Sequence, residues 1–114
     1  MPASDYNLLG FLDQNERHPE QALVDFAKAE DAASDFYRGR DDLDPALYTE
    51  IAAGRAASYA QMKEWQRAID FQQEATRRLP EDPSQWNTLG DLYDRAGQRQ
   101  LADQARQRAS ALTK

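Results

Sequence analysis

Apolar and small residues recur at helical spacing over residues 83–112, close to the C-terminus. Four residues of the first half of this stretch share the spacing i, i+3, i+4 and i+7, which places them on one face of a helix: Trp86, Leu89, Gly90 and Tyr93. Gly97 then interrupts the pattern, and three alanines form a second stripe: Ala102, Ala105 and Ala109. This order of residues predicts two closely packed antiparallel helices.

Related patterns occur twice more upstream. At an interval of 34 residues, Ala52, Tyr59 and Ala68 correspond to Trp86, Tyr93 and Ala102. A third copy near the N-terminus has matching residues in the same slots: Tyr6, Leu9, Gly10, Ala22, Phe26 and Ala29. Three copies of a two-helix unit therefore account for most of the chain.

Proline and aspartate residues mark the expected helix starts. Asp44 before Pro45 and Asp82 before Pro83 combine an N-cap with a proline at the first helical position. Together with the periodicity, these signals predict six helices, with ends uncertain by about two to four residues. Their expected bounds are about 4–16, 19–38, 45–62, 65–79, 83–96 and 99–113.

The pattern resembles the tetratricopeptide repeat (TPR), whose units carry the signature W-x2-L-G-x2-Y followed by alanines. The resemblance implies an all-α fold, an α-solenoid of three stacked helical hairpins that form a right-handed superhelix. The chain would be one TPR-like domain, 1–114. Its expected parts are repeats at about 3–36, 49–82 and 83–114 and a helical extension at about 37–48.

Some residues depart from the family pattern. Arg55 stands where the family has leucine. Either the aliphatic part of its side chain covers the apolar face while the guanidinium reaches water, or the alignment of this helix with the repeat pattern is wrong. Gln72 and Arg106 occupy the slot that holds Phe26 in the first copy.

Charge and composition limit the possible functions. The net charge is −6: residues 1–50 hold 12 acidic and 4 basic side chains, a balance of −8, and residues 51–114 hold 8 and 10, a balance of +2. This acidity argues against nucleic-acid binding and could favour a basic partner. The chain has no cysteine, no apolar run of about 20 residues, and no convincing signal peptide. We expect a soluble, cytoplasmic protein or a fragment of a larger one, with no role at a membrane.

Catalytic and metal-binding patterns are missing from the sequence. His18 is the only histidine and falls in a predicted turn, whereas a triad or a zinc site needs more partners. The acids Asp41, Asp42 and Asp44 lack the further ligands of a calcium loop. We therefore expect no enzyme activity, no cofactor and no metal.

The resemblance implies that the first helix of each hairpin lines a concave surface. The candidate partner-binding residues on it are Asn7, Phe11, Ala53, Ala57, Gln61, Asn87, Asp91 and Arg95. Alanines at its centre, including Ala60, would leave room for another chain, although alanine also simply favours helices and tight packing. The basic residues with which TPR co-chaperones grip the Hsp70/Hsp90 carboxylate tail are absent from the matching positions, so that partner is excluded if the register is right.

Two functions follow from these expectations. The first is an interaction module, an adaptor or assembly factor, that binds a partner peptide or helix in the concave groove. The alternative is a self-associating helical scaffold, a homodimer formed through two long arms or through the last helix. The arms are the extended end of the second predicted helix, at about 30–38, and the early start of the third, at about 45–52.

Overall fold

Six α-helices and one short 3-10 turn make up the computed structural model, which describes residues 2–15 and 18–113. The helices are Ala3–Asn15 (α1), Pro19–Phe36 (α2), Pro45–Gln61 (α3), Trp65–Arg78 (α4), Pro83–Arg95 (α5) and Arg99–Leu112 (α6), and the turn is Asp41–Leu43. The described residues contain no strand, which confirms the predicted all-α class. The predicted helix bounds agree within two residues, except that residue 16, the expected end of the first helix, lies outside the described residues.

The predicted N-caps form as expected. The Asp44 carboxylate accepts a hydrogen bond from the backbone N–H of Leu47 at 3.1 Å, and Asp82 accepts one from that of Ser84 at 3.0 Å. Each cap satisfies a backbone donor that the first turn of a helix leaves without an intrahelical partner. These two contacts fix where α3 and α5 begin.

Two of the turns between helices share one geometry. Lys63 and Gly97, one repeat length apart, both have positive φ, at 60° and 80°. In each turn the next residue donates its N–H back into the helix, from Glu64 to the Tyr59 carbonyl and from Gln98 to the Tyr93 carbonyl. This is the Schellman arrangement, in which glycine is the preferred left-handed residue.

Lys63→Gly is therefore expected to raise the free energy of unfolding by about 0.5–1 kcal/mol, because a side chain is disfavoured at a left-handed position. Urea unfolding followed by circular dichroism measures the change. Lys63→Ala is the matched control, which removes the lysine but keeps the strain and should give no gain. Equal stability of the two variants would contradict the left-handed geometry at this position.

Each helix packs chiefly against its neighbour in the chain. The closest pairs are α1 with α2, α3 with α4 and α5 with α6, and further contacts join α2 to α3, α4 to α5 and α1 to α3. The alanines that mark the second helix of each hairpin are buried, as their spacing predicts: Ala22, Ala29, Ala68, Ala75, Ala102 and Ala109. Small side chains at these positions let the helices approach closely.

Two apolar clusters form the core, and α3 contributes to both of them. The first surrounds Phe26 and includes Ile51 of α3. The second surrounds Ile69 and Leu89 and includes Ala56 of α3. The third helix therefore connects the two halves of the molecule.

The departures from the TPR pattern have structural explanations. Arg55 forms an ion pair with Glu30 of α2 and lies over the Phe71 ring, 5.3 Å from its centroid, so its charge meets a carboxylate as well as water. Gln72 is fully buried and donates to the Gln85 carbonyl at 3.0 Å. Polar side chains at these two sites thus connect one hairpin to the next.

Candidate partner-binding groove

A surface cavity of about 310 Å³ lies between α3 and α5. We call it the α3–α5 groove, and seven residues line it: Ala57, Ala60, Gln61, Thr88, Asp91, Leu92 and Arg95. Four of these were predicted from the sequence as partner-binding residues: Ala57, Gln61, Asp91 and Arg95. The structure therefore brings together half of the predicted set around one opening.

Helical spacing explains why these residues share the groove. On α5, Thr88, Asp91, Leu92 and Arg95 follow the spacing i, i+3, i+4 and i+7, which lines up one helix face. The neighbouring Leu89 and Tyr93 point into the core instead, where both are buried. The groove face of α5 is thus the stripe beside its core face.

The groove has an apolar base and a polar edge. Leu92 is buried, and Ala57 and Ala60 add only methyl groups, so side chains on α3 leave the space open. Gln61 and Thr88 bring groups that donate and accept hydrogen bonds. This combination suits a segment that buries a small apolar side chain and presents backbone polar groups to the edge.

The groove has two charged residues, Asp91 and Arg95, and they differ in whether their charge is paired. The Asp91 carboxylate accepts from the Arg106 guanidinium at 2.9 Å, and Asp94 contacts the same guanidinium at 2.6 Å. These hydrogen bonds to carboxylates raise the pKa of Arg106 above its ordinary value. Arg95 stays exposed, with its guanidinium 5.9 Å from the centroid of the Trp65 ring. The Asp91 charge is thus offset by Arg106, whereas Arg95 presents a positive charge at the surface.

Asn7 has a different position from the one predicted. It is only 5% exposed, and its side-chain amide donates to the Glu50 carboxylate of α3 at 3.0 Å. Its Oδ1 atom is buried without a hydrogen-bond partner among the described residues. Asn7 therefore joins α1 to α3, and its burial corrects the expectation that it is displayed on an open surface.

The other three predicted residues lie outside the groove lining. Phe11 packs edge-on against the Phe26 ring, with centroids 5.2 Å apart, so it belongs to the first apolar cluster. Ala53 is half-buried, and Asn87 is exposed on α5. Thr88 and Leu92 line the groove but were not predicted, although each lies three residues before a predicted residue, Asp91 and Arg95 respectively, which is a same-face spacing on a helix.

The described residues offer neither a cluster of metal ligands nor a membrane-spanning helix. Within residues 2–15 and 18–113, no three His, Cys, Asp or Glu side chains are grouped so that they could hold a metal ion. Over the same residues, no helix combines the length and the apolar character that crossing a bilayer requires.

Comparison with known proteins gives no family to which the chain can be assigned. No protein-family model matches the sequence, and no curated protein matches it at a significant level.

Proposed function

We propose that this protein is a TPR-like interaction module, an α-solenoid of three stacked hairpins, that binds a segment of a partner protein in the α3–α5 groove. It would act as an adaptor or assembly factor, in the cytoplasm, without catalysis of its own. The observation that carries the proposal is the open space over Ala57 and Ala60, which is lined by four residues of the set predicted from the sequence. Concave, mostly apolar sites with a few polar groups are typical of binding surfaces.

Equivalent contacts in different hairpins support the repeat interpretation. Gly10 lies against the Phe26 ring, and Gly90 lies against the Arg106 side chain, at the same sequence separation. The turns at Lys63 and Gly97 also share one geometry. Hairpins that bury their apolar faces only against neighbours build curved surfaces of the kind proposed.

A partner for this groove needs chemistry that complements its lining. An apolar side chain would cover Ala57, Ala60 and Leu92, and a carbonyl or carboxylate would face Arg95. Because Asp91 already pairs with Arg106, a cationic partner group has less to gain there. We therefore propose a neutral or acidic segment with a small apolar anchor as the occupant.

Ala57→Arg is expected to weaken partner binding at least about tenfold, which corresponds to about 1.4 kcal/mol. Ala57 is exposed in the groove, so the longer side chain would occupy the space of the partner while the helix remains intact. Affinity capture from the source cells followed by mass spectrometry would supply the partner, and calorimetry with the purified partner would measure the dissociation constant.

The matched control for this experiment is Ala27→Arg, which places the same side chain at an exposed position of α2 outside the groove. Circular dichroism should show unchanged helix content in both variants. Equal affinity of Ala57→Arg and Ala27→Arg for the partner would show that the groove assignment is wrong.

Self-association is a second candidate function, favoured by the exposure of Phe36 on α2 and Leu101 on α6. Sedimentation equilibrium over a range of concentrations tests it. A homodimer would be weakened by Phe36→Ala or Leu101→Ala, whereas a strict monomer excludes this function.

A further inference from the structure

A second and larger cavity lies at the opposite end of α3 from the α3–α5 groove. It has a volume of about 590 Å³ and is formed by the start of α1, the last turn of α2 and the start of α3. Its apolar lining includes Pro2, Ala3, Ala33, Phe36, Tyr37 and Leu47. We call it the end cavity.

The most unusual member of this lining is Phe36. Its side chain is 78% exposed, more than any other large apolar side chain that the structure describes. The neighbouring Tyr37 packs edge-on against it, with ring centroids 4.9 Å apart, and donates its hydroxyl to the Asp44 carboxylate at 3.0 Å. Tyr37 is thus held in place, and Phe36 presents an open aromatic surface beside the cavity.

The surroundings of the end cavity are acidic. Asp35 and Asp44 belong to its lining, and residues 30–50 hold seven acidic and two basic side chains, a net charge of −5. Of the nearby cations, Arg40 pairs with Asp42 at 3.0 Å, and Arg78 pairs with Asp41 and Glu74 at 3.1 Å each. The balance of −5 already includes Arg38, and Arg55 and Arg78, which pair with Glu30 and Asp41 of this set, reduce it to −3. The net charge around Phe36 is therefore negative, and it would attract a basic segment.

We propose that the end cavity docks a basic segment of another protein, with one large apolar side chain against Phe36 and arginine or lysine beside Asp35 and Asp44. This proposal does not depend on the function of the α3–α5 groove. A separate basic partner fits better than a second copy of the chain, because two copies with a net charge of −6 each repel one another.

Binding of defined peptides tests the proposal. The probe is a fluorescein-labelled peptide of about ten residues in which arginines flank a leucine–phenylalanine pair. One matched peptide replaces the arginines by glutamates, and another replaces the leucine–phenylalanine pair by alanines. Fluorescence polarisation should show saturable binding of the first peptide, at least about tenfold tighter than either of the others, and its affinity should fall as salt is raised.

Two variants of the protein test the contact residues, and each has a matched control at a nearby position outside the cavity lining. Phe36→Ala should weaken binding of the arginine peptide at least about tenfold, since a buried aromatic contact is lost, whereas Leu43→Ala, also exposed but outside the cavity, should not. Asp35→Asn should weaken it by about threefold, in the range of one partly screened charge pair, and Asp31→Asn should leave it unchanged.

Several results would overturn the proposal. These are no saturable binding of the arginine peptide, equal binding of the glutamate peptide, or equal effects of Phe36→Ala and Leu43→Ala. A wild-type dimer that Phe36→Ala converts to monomer would also overturn it, because a second copy would then fill the cavity. Ala57→Arg should bind the arginine peptide normally, so failure of the groove proposal remains separate from failure of this one.

Discussion

Phe26→Ala is expected to lower the free energy of unfolding by about 3–5 kcal/mol. The Phe26 side chain is fully buried, and its ring lies between Gly10 of α1 and Gly54 of α3, with Phe11 edge-on against it. Removing the ring takes away its contacts to two other helices, α1 and α3, and leaves a cavity. Because small domains have only about 5–15 kcal/mol of total stability, this variant should be close to unfolding.

Urea unfolding followed by far-ultraviolet circular dichroism measures this loss. Phe36→Ala is the matched control, since it makes the same substitution on the same helix at a side chain that is mostly exposed. An exposed substitution of this kind should change stability by no more than about 0.5 kcal/mol. Similar losses in the two variants would contradict the placement of Phe26 as the centre of the first cluster.

Gly54→Ala is expected to lower the free energy of unfolding by about 3 kcal/mol through overpacking. A Cβ atom at this position would lie 2.3–2.8 Å from three atoms of the Phe26 ring. The ring has no open side into which it could move, because Phe26 is fully buried. This steric loss should exceed the gain of about 1 kcal/mol that alanine normally gives over glycine within a helix.

The effect of Gly54→Ala should reverse once the ring is gone. In a Phe26→Ala background, the added methyl group has room and the helix preference of alanine remains, so Gly54→Ala should stabilise. A double-mutant cycle isolates this coupling, with Phe26→Leu as a milder background in which the folded state stays well populated. An equal cost of Gly54→Ala in all backgrounds would show that the ring is not the obstacle.

Local signals predicted the helices well. Asp44 with Pro45 and Asp82 with Pro83 act within one turn of the chain, so the starts of α3 and α5 follow from adjacent residues alone. The burial of the alanine stripe on each second helix likewise follows from spacing. These features do not depend on where distant parts of the chain come to lie.

The partners of polar side chains in the helix packing could not be predicted in this way. Arg55 depends on Glu30 from another helix, and Gln72 depends on the backbone of Gln85 at the start of α5. Asn7 was assigned to the correct helix, but its burial depends on how closely α1 approaches α3. That approach is set by the fit of Phe26 against Gly10 and Gly54, which no single helix pattern contains.

The exposure of Phe36 has a similar cause. Helical spacing continues the apolar stripe of α2 through Ala33 to Phe36 or Tyr37. However, α2 has 18 residues and α1 has 13, so the C-terminal end of α2 extends past its antiparallel neighbour. Phe36 therefore continues the buried stripe of α2 in the sequence, but it lies beyond the part of α2 that α1 covers.

The measurement that most directly tests partner binding in the α3–α5 groove is amide chemical-shift mapping of the isotope-labelled protein with its purified partner. We predict that the largest shifts fall at Ala57, Gln61, Thr88 and Arg95, on facing sides of α3 and α5. Large shifts confined to α2 or α6, with those four amides unchanged at saturation, would contradict the proposed site.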